Sequence, residues 1–214
     1  MCHHTKRGTK MSKSNHNPIR MIGACAPSSK HLADAMTRFV TKQGSNARIL
    51  EVGAGTGAIT KFLIKKMSDG QKLDVVEIIP SLSQILCARF KGLVQVTVHC
   101  SDILNYQANA GYDVIVSSLP FNAFPPELTN AVMERLVELA NDQAILSFFE
   151  YKVLERVAPL VFSKKRLEQY RASRKLIEGF LRRFKFDQAV VNMNLPPAVV
   201  HYLAIDKHRQ DQRS

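Results

Sequence analysis

The chain of 214 residues contains no tryptophan and few aromatic residues, only 7 % in all. No apolar run approaches the ~18 residues needed to cross a bilayer, so no segment of this sequence reads as a membrane-spanning helix. The four cysteines, Cys2, Cys25, Cys87 and Cys100, are scattered and form no C-x-x-C pair. That spacing excludes a dithiol redox motif and predicts reduced, mostly buried thiols in a cytoplasmic protein. Acidic residues are missing from the start of the chain: none precedes Asp34, whereas Lys6, Arg7, Lys10, Lys13, Arg20 and Lys30 do. Met1–Arg20 is polar and basic without an apolar stretch, which predicts a flexible basic arm (1–20) rather than a secretory signal. Cys2-His3-His4 has the residue types of a metal ligand set, but a frayed terminus accounts for it and no metal site is expected.

What is present is a globular composition with a strong charge bias. Forty-five per cent of residues are hydrophobic, and 30 Lys and Arg face 18 Asp and Glu, a formal net charge of +12. The length suits one α/β domain with a real core. The charge predicts an anionic partner, either nucleic acid or an anionic membrane surface, and does not choose between them.

The hydrophobic pattern alternates between strands and helices. Pro27-Ser28-Ser29 opens a helix running to about Gln43, with a serine placed to cap it. Leu32, Ala35, Met36, Phe39 and Val40 share one face of that helix. Strands are expected at 47–53, 72–77, 93–98, 112–117 and 143–150, with helices between them at about 57–68, 80–90 and 126–140. A long basic helical segment follows at 152–182. Two more strands, 184–194 and 198–205, form a closing hairpin turned by Asn194-Leu195-Pro196-Pro197. Alternation of this kind predicts an α/β fold: a doubly wound, mostly parallel, seven-stranded sheet over residues 21–207, followed by a short tail (208–214). Ligands of such sheets sit beyond the carboxyl ends of the strands. Glu51, Glu77, Asp102 and Ser118 all stand there.

Ile49-Leu50-Glu51-Val52-Gly53-Ala54-Gly55-Thr56-Gly57 is the most informative stretch. An apolar strand ends in an acid, and three alternating glycines then let the backbone turn sharply and approach a ligand. Gly53, Gly55 and Ala58 satisfy the dinucleotide pattern G-x-G-x-x-G/A, with Glu77 at the distance of a ribose acid. Glu51 argues against that ligand, because an anion two residues before the turn repels a pyrophosphate and suits a ligand with a positive amino group. The pattern E-x-G-x-G-x-G resembles the first motif of class I S-adenosylmethionine (SAM) methyltransferases. That resemblance implies SAM as cofactor, with Glu51, Gly53, Gly55 and Gly57 around its methionine part. Glu77 accepts the ribose hydroxyls. Asp102 contacts the adenine amino group with Ile103 beside the ring, unless Asp102 serves only as a helix cap.

Ser118-Leu119-Pro120-Phe121 follows the fourth strand, where this superfamily places the methyl acceptor. Adenine methyltransferases carry N/D-x-P-Y/F there, so Ser118 in place of Asn or Asp weighs against adenine chemistry. Three patterns together resemble the bacterial phospholipid N-methyltransferases, which methylate phosphatidylethanolamine stepwise towards phosphatidylcholine. They are Ala24-x-x-Pro27-Ser28-Ser29-x-x-Leu32-Ala33, Ser117-x-Leu119-Pro120 with Phe124-Pro125, and Asn194-Leu195-Pro196-Pro197-Ala198-x-Val200. The resemblance covers about 20–205. It implies Ser28 and Ser118 at the cofactor, and Leu119, Pro120, Phe121 and Tyr151 at the substrate. Aromatic faces such as Phe121, Tyr151 and Tyr170 can hold a methylated ammonium by cation–π contact. No general base stands out; Tyr151 and His201 are weak candidates, and the leading reading of His201 is a core histidine.

The segment 163–186 is rich in cations. Lys164, Arg171, Lys175 and Arg182 fall in a narrow helical arc with Lys165 beside it, and Leu167, Tyr170, Ile177, Phe180 and Leu181 lie largely opposite. A basic amphipathic helix reads as a membrane-surface element, and equally as an ordinary helix packed on the core. The leading expectation is a peripheral membrane enzyme on the cytoplasmic side. The alternatives are an RNA adenine methyltransferase and a non-catalytic SAM-binding module for nucleic acid or membrane.

Overall fold

A computed structural model describes residues 2–3 and 29–207. The rest of the expected basic arm, the Ala24–Ser28 part of the first motif, Cys25 and the 208–214 tail lie outside the described residues. Within them are eight strands: β1 (Cys2–His3), β2 (Arg48–Val52), β3 (Lys72–Glu77), β4 (Val96–Cys100), β5 (Tyr112–Ser117), β6 (Ala140–Tyr151), β7 (Lys185–Val191) and β8 (Ala198–Ile205). The helices are α1 (Lys30–Met36), α2 (Thr60–Lys66), α3 (Pro80–Arg89), α4 (Pro126–Leu139), α5 (Val153–Val161) and α6 (Lys164–Phe184).

The sheet order is β1-β4-β3-β2-β5-β6-β8-β7. β2 to β6 run parallel, and β8 joins β6 antiparallel with β7 at the far edge. The seven expected strands are therefore all present, in a doubly wound arrangement closed by a hairpin. Two residues of the expected arm, Cys2 and His3, pair with Val98 and His99 at the opposite edge. No helix among the described residues is long and apolar enough to cross a membrane.

Alternation along each strand sends side chains to two cores. Leu50, Val52, Ile115, Leu146, Phe148 and Leu203 face a layer built from Met133 and Leu136 of α4 and Ile177, Phe180 and Phe184 of α6. Ile49, Val75, Val114, Val116, Val200 and Tyr202 face the other layer, with Leu32 and Met36 of α1, Leu63 of α2 and Leu86 of α3.

Several boundaries differ from the sequence reading for local reasons. The first helix ends at Met36 instead of Gln43 and continues only as a short 3-10 turn at Val40–Lys42. The Thr37 hydroxyl donates to the Ala33 carbonyl at 2.8 Å, a side-chain competitor for the helical ladder. Ser29 is the serine that caps it, accepting from Leu32 N–H at 3.2 Å. The basic segment is two helices, because Ser163 caps a fresh helix by accepting from Arg166 N–H and Pro159 removes a donor from α5. β4 starts three residues late, since Gly92, at φ +88°, turns the chain and leaves Val94 in solvent. Among the described residues Cys100 is a free, half-buried thiol.

One polar network braces the α4–α6 layer. Asp74 of β3 accepts from Tyr112 Oη at 2.8 Å and Arg48 Nη2 at 3.1 Å, with His99 Nε2 at 3.0 Å and the Tyr106 hydroxyl 2.7 Å from that of Tyr112. Burial by itself would raise the Asp74 pKa, but the bonds from His99, Tyr112 and Arg48 outweigh it and hold the carboxyl below its ordinary 3.8. A lowered carboxylate pKa contributes stability that is present above the unfolded value and is lost as pH falls through the folded one. Asp74→Ala should therefore lower unfolding free energy at pH 7 by about 2 kcal/mol in urea titrations, since buried donors lose their acceptor. The gap between variant and parent should narrow below about pH 3.9, where the unfolded-state Asp takes up its proton.

Candidate active site

The β2–α2 turn is built by glycine. Gly53, Gly55 and Gly57 have φ of +74°, +58° and +84°, values that side chains with a Cβ rarely adopt. Space is short as well: a Cβ on Gly53 would lie 2.8 Å from the Leu119 side chain, and one on Gly57 would meet Leu86 and Phe90 at 3.0 Å. Arg89 closes the turn by donating to the Thr56 carbonyl. α2 begins at Thr60, three residues later than expected, so its first turn stands back from the glycines.

Glu77 ties this turn to the end of β3. Gly55 N–H donates to its Oε2 at 2.8 Å and Ile79 N–H to its Oε1 at 2.9 Å. Each carboxylate oxygen keeps a lone pair for a further donor such as a ribose hydroxyl. Asp102, after β4, accepts from Leu104 N–H at 3.0 Å and so does cap a turn. Only one of its oxygens takes part, and the residue is half-buried at the same end of the sheet. Ile103 is packed in the core beneath it.

Glu51 is the exceptional group. It is fully buried on β2, level with Val75 on one side and Val116 on the other. Neither carboxylate oxygen has a hydrogen-bond partner; the nearby Thr60 eases the burial without meeting hydrogen-bond geometry, and its own hydroxyl is unpaired too. Loss of solvent, with some repulsion from Glu77, pushes the Glu51 pKa from 4.5 up to about 8. A buried, unpaired carboxylate beside a glycine turn fits a ligand that brings its own ammonium group. SAM carries one, and Glu51, the glycines, Glu77 and Asp102 are the residues that would hold it. A dinucleotide pyrophosphate brings no cation to offset an ionised Glu51.

The segment after β5, where the acceptor is expected, sits directly on this turn. Ser118 N–H donates to the Val52 carbonyl at 2.9 Å, and Leu119 covers Gly53. Pro120 caps a 3-10 turn, Phe121–Ala123. Phe121 is only 1 % exposed, with its ring edge-on to Phe124 at 5.9 Å and to Phe148 at 5.5 Å. Its expected role as a face for substrate is corrected: it is a core anchor that fixes the loop, because two other rings already occupy its surroundings.

Tyr151 lies half-buried at the end of β6, edge-on to Phe149 at 5.3 Å. Tyr170 packs inside α6. His201 is buried on β8 with Nε2 3.1 Å from Glu150 Oε2, and Arg174 Nη1 donates to Glu150 Oε1 at 3.3 Å. The Phe148 ring lies 5.1 Å from His201 and 5.5 Å from Phe121, and with Glu150 as its partner His201 reads as a structural histidine. Sequence reasoning missed Glu150 and Arg174; an acid within the apolar Ser147-Phe148-Phe149-Glu150-Tyr151 strand was the available signal. It also gave no role to Asn194, whose Oδ1 accepts from Ser29 N–H at 3.2 Å and joins the two distant motifs.

On α6, Tyr170, Ser173, Ile177, Phe180 and Phe184 are buried, so its apolar side belongs to the core and does not lie in a bilayer. Lys164, Lys165, Arg171, Lys175 and Arg182 are all exposed. Arg171, Lys175 and Arg182 border an open groove of about 580 Å³ with Pro159 and Leu167. Ser173, on the inner side of the same helix, donates to the Phe124 carbonyl of the acceptor loop at 2.9 Å.

Comparison with known proteins agrees with this geometry. Residues 49–143 match the methyltransferase domain family. An ornithine lipid N-methyltransferase of Singulisphaera acidiphila is 33 % identical over 114 residues, 50 % of this chain and 58 % of that protein. A malonyl-[acyl-carrier protein] O-methyltransferase of Ilyobacter polytropus is 29 % identical over 92 residues, 43 % of this chain and 34 % of that protein. The matched part thus spans between a third and somewhat over half of these relatives. Among solved structures, the N-methyltransferase NodS from Bradyrhizobium japonicum in complex with S-adenosyl-L-homocysteine superposes with a TM-score of 0.62. It covers 83 % of this chain and 88 % of that one at 14 % identity, a likeness of fold.

A raised carboxylate pKa makes stability fall as pH rises between the unfolded and folded values. The ligand-free protein should therefore lose thermal stability from pH 5 to pH 8, and Glu51→Gln, which cannot ionise, should lack that loss while binding S-adenosylhomocysteine at least about tenfold more weakly. Melting curves and calorimetric titration across this pH range check both. Glycine turn, unpaired Glu51, strand order and matched residues converge on one conclusion: residues 49–143 match the methyltransferase domain family, and the site they build suits S-adenosylmethionine.

Proposed function

We propose that the protein methylates the primary amine of a membrane lipid, phosphatidylethanolamine and its partly methylated forms, towards phosphatidylcholine at an anionic membrane surface. One observation carries this reading. α6 presents five cations outward and, by Ser173, is hydrogen-bonded inward to the acceptor loop. A lipid phosphate held on the outer face is thereby tied to the element that seats the acceptor. The three sequence motifs and the similarity to a lipid N-methyltransferase support the same substrate class.

When bound, SAM supplies an electrophilic methyl group. The chain's residues hold and align. Glu51 balances an ammonium, Glu77 accepts hydroxyls and Leu119 closes over the turn. A lipid amine resembles a lysine side chain, with a pKa of about 10.4, and must lose a proton before it can attack. A loop backed by the Phe121–Phe148 core excludes water and favours the neutral amine. Alignment of nitrogen with the methyl carbon is then the main source of rate.

The charge of +12 also favours an RNA substrate. Ser118, where adenine enzymes carry Asn or Asp, opposes it. Labelled methyl transfer to vesicles containing phosphatidylethanolamine or ornithine lipid, and to RNA, separates these readings. Transfer to a lipid amine and none to RNA is expected; the reverse would overturn the proposal. In the same vesicles, reversing Lys164, Arg171 and Lys175 to Glu should weaken sedimentation with anionic lipid by about 100-fold, at about 1 kcal/mol per lost cation, with S-adenosylhomocysteine affinity unchanged.

A further inference from the structure

The turn after β4 is held from beneath as well as from within. Leu104 N–H donates to Asp102 Oδ1 at 3.0 Å, and Asn105 N–H to the Asp102 carbonyl at 3.0 Å. Tyr106, which ends this turn, packs into the α4–α6 layer and is 6 % exposed. Groups distant in the chain grip it there. Its hydroxyl lies 2.7 Å from that of Tyr112, and its carbonyl accepts from Arg135 Nη2 of α4 at 2.6 Å. Glu138 orients the same guanidinium by accepting from Nη1 at 2.8 Å.

Chemistry fixes the direction of the hydroxyl bonds. Asp74 is ionised at neutral pH and can only accept, so the Tyr112 hydroxyl gives its proton to Asp74 Oδ2, 2.8 Å away. The Tyr112 oxygen must then accept from the Tyr106 hydroxyl. His99 Nε2, 3.0 Å from Asp74 Oδ1, and Arg48 Nη2, 3.1 Å from Oδ2, donate to the same carboxylate. Bonds that run in one direction strengthen one another, and these end on an anion held by two further donors. The turn that carries Asp102 is thereby tied to β3 and β5 through one side chain and to α4 through one carbonyl.

We propose that Tyr106 and Arg135 are positioning residues for the base of the cofactor: by fixing the Asp102–Tyr106 turn they aim the second Asp102 oxygen at the adenine amino group and make the site select adenine. This rests on the reading of Asp102 as the adenine contact, and it holds whichever substrate accepts the methyl group. Neither side chain needs to touch the cofactor. An amino group donates to a carboxylate, whereas a carbonyl at the same position of the base turns lone pairs towards it. A carboxylate held in one place distinguishes the two bases. On a loose turn it moves aside and loses the distinction.

Calorimetric titration of the full chain with S-adenosylhomocysteine and with its inosine analogue, in which a carbonyl replaces the adenine amino group, reads this selectivity. The parent should prefer the adenine ligand by about 30-fold, as a hydrogen bond to a charged group sustains. Tyr106→Phe, which removes one oxygen and keeps the ring, and Arg135→Met should each cut that preference to about fivefold, a loss on the scale of one hydrogen bond. The loss should come from weaker binding of S-adenosylhomocysteine alone, with affinity for the inosine analogue kept within about twofold. A merely structural role weakens both ligands alike and leaves their ratio at the parent value. That result, or unchanged affinity for both ligands, overturns the proposal. If Arg135→Met does not fold, Tyr106→Phe decides alone. A parent that binds both ligands equally refutes the contact of Asp102 with adenine, and the proposal with it. A parent preference that Asp102→Asn abolishes and Tyr106→Phe leaves intact upholds that contact and overturns the positioning role.

Discussion

The buried carboxylate of Glu51 is the constraint around which the site is organised. β2 is central, with β3 and β5 on its flanks, and its neighbours Leu50 and Val52 are locked in one core while Ile49 is locked in the other. Glu51 is fully buried, and among the described residues only Thr60 comes near it, without ordinary hydrogen-bond geometry. An ionised carboxylate there is unfavourable until a cation arrives. The glycine turn follows two residues later because a ligand large enough to bring that cation needs the backbone out of its way. Glu77 then crosslinks the turn to β3, and the acceptor loop caps it through Leu119.

The two faces of the sheet divide the work. α1, α2 and α3 back the strand that carries Glu51, while α4 and α6 back the acceptor loop. α6 does two jobs with one amphipathic pattern. Its apolar stripe fills the core, and its cations are left outside, beside a loop to which Ser173 binds it. On the proposed reading, attraction of this face to a membrane is electrostatic and weakens with salt.

Much of this was legible in the sequence. Short apolar runs alternating with helical stripes gave seven strands, and β8 occupies the residues expected for it. The glycines and Glu77 could be placed because local chemistry, strand end and turn, decides their roles. The parts that were not legible depend on partners far away in the chain. Phe121 looks like a substrate aromatic until Phe148 is found against it. His201 is a weak candidate base in the sequence, and its buried bond to Glu150 places it in the structure of the sheet instead. The pattern of α6 fits a membrane and a protein core equally well, and only packing decides which side is covered.

The central claim is that Glu51 is protonated in the empty site and ionises against the ammonium of the bound cofactor. Calorimetric titration with S-adenosylhomocysteine at pH 6.5, repeated in buffers of different ionisation enthalpy, measures this directly. With the Glu51 pKa near 8 in the empty site, release of about one proton per ligand bound is expected, and its disappearance in Glu51→Gln assigns it. Binding with no proton exchange in the parent protein would contradict the account.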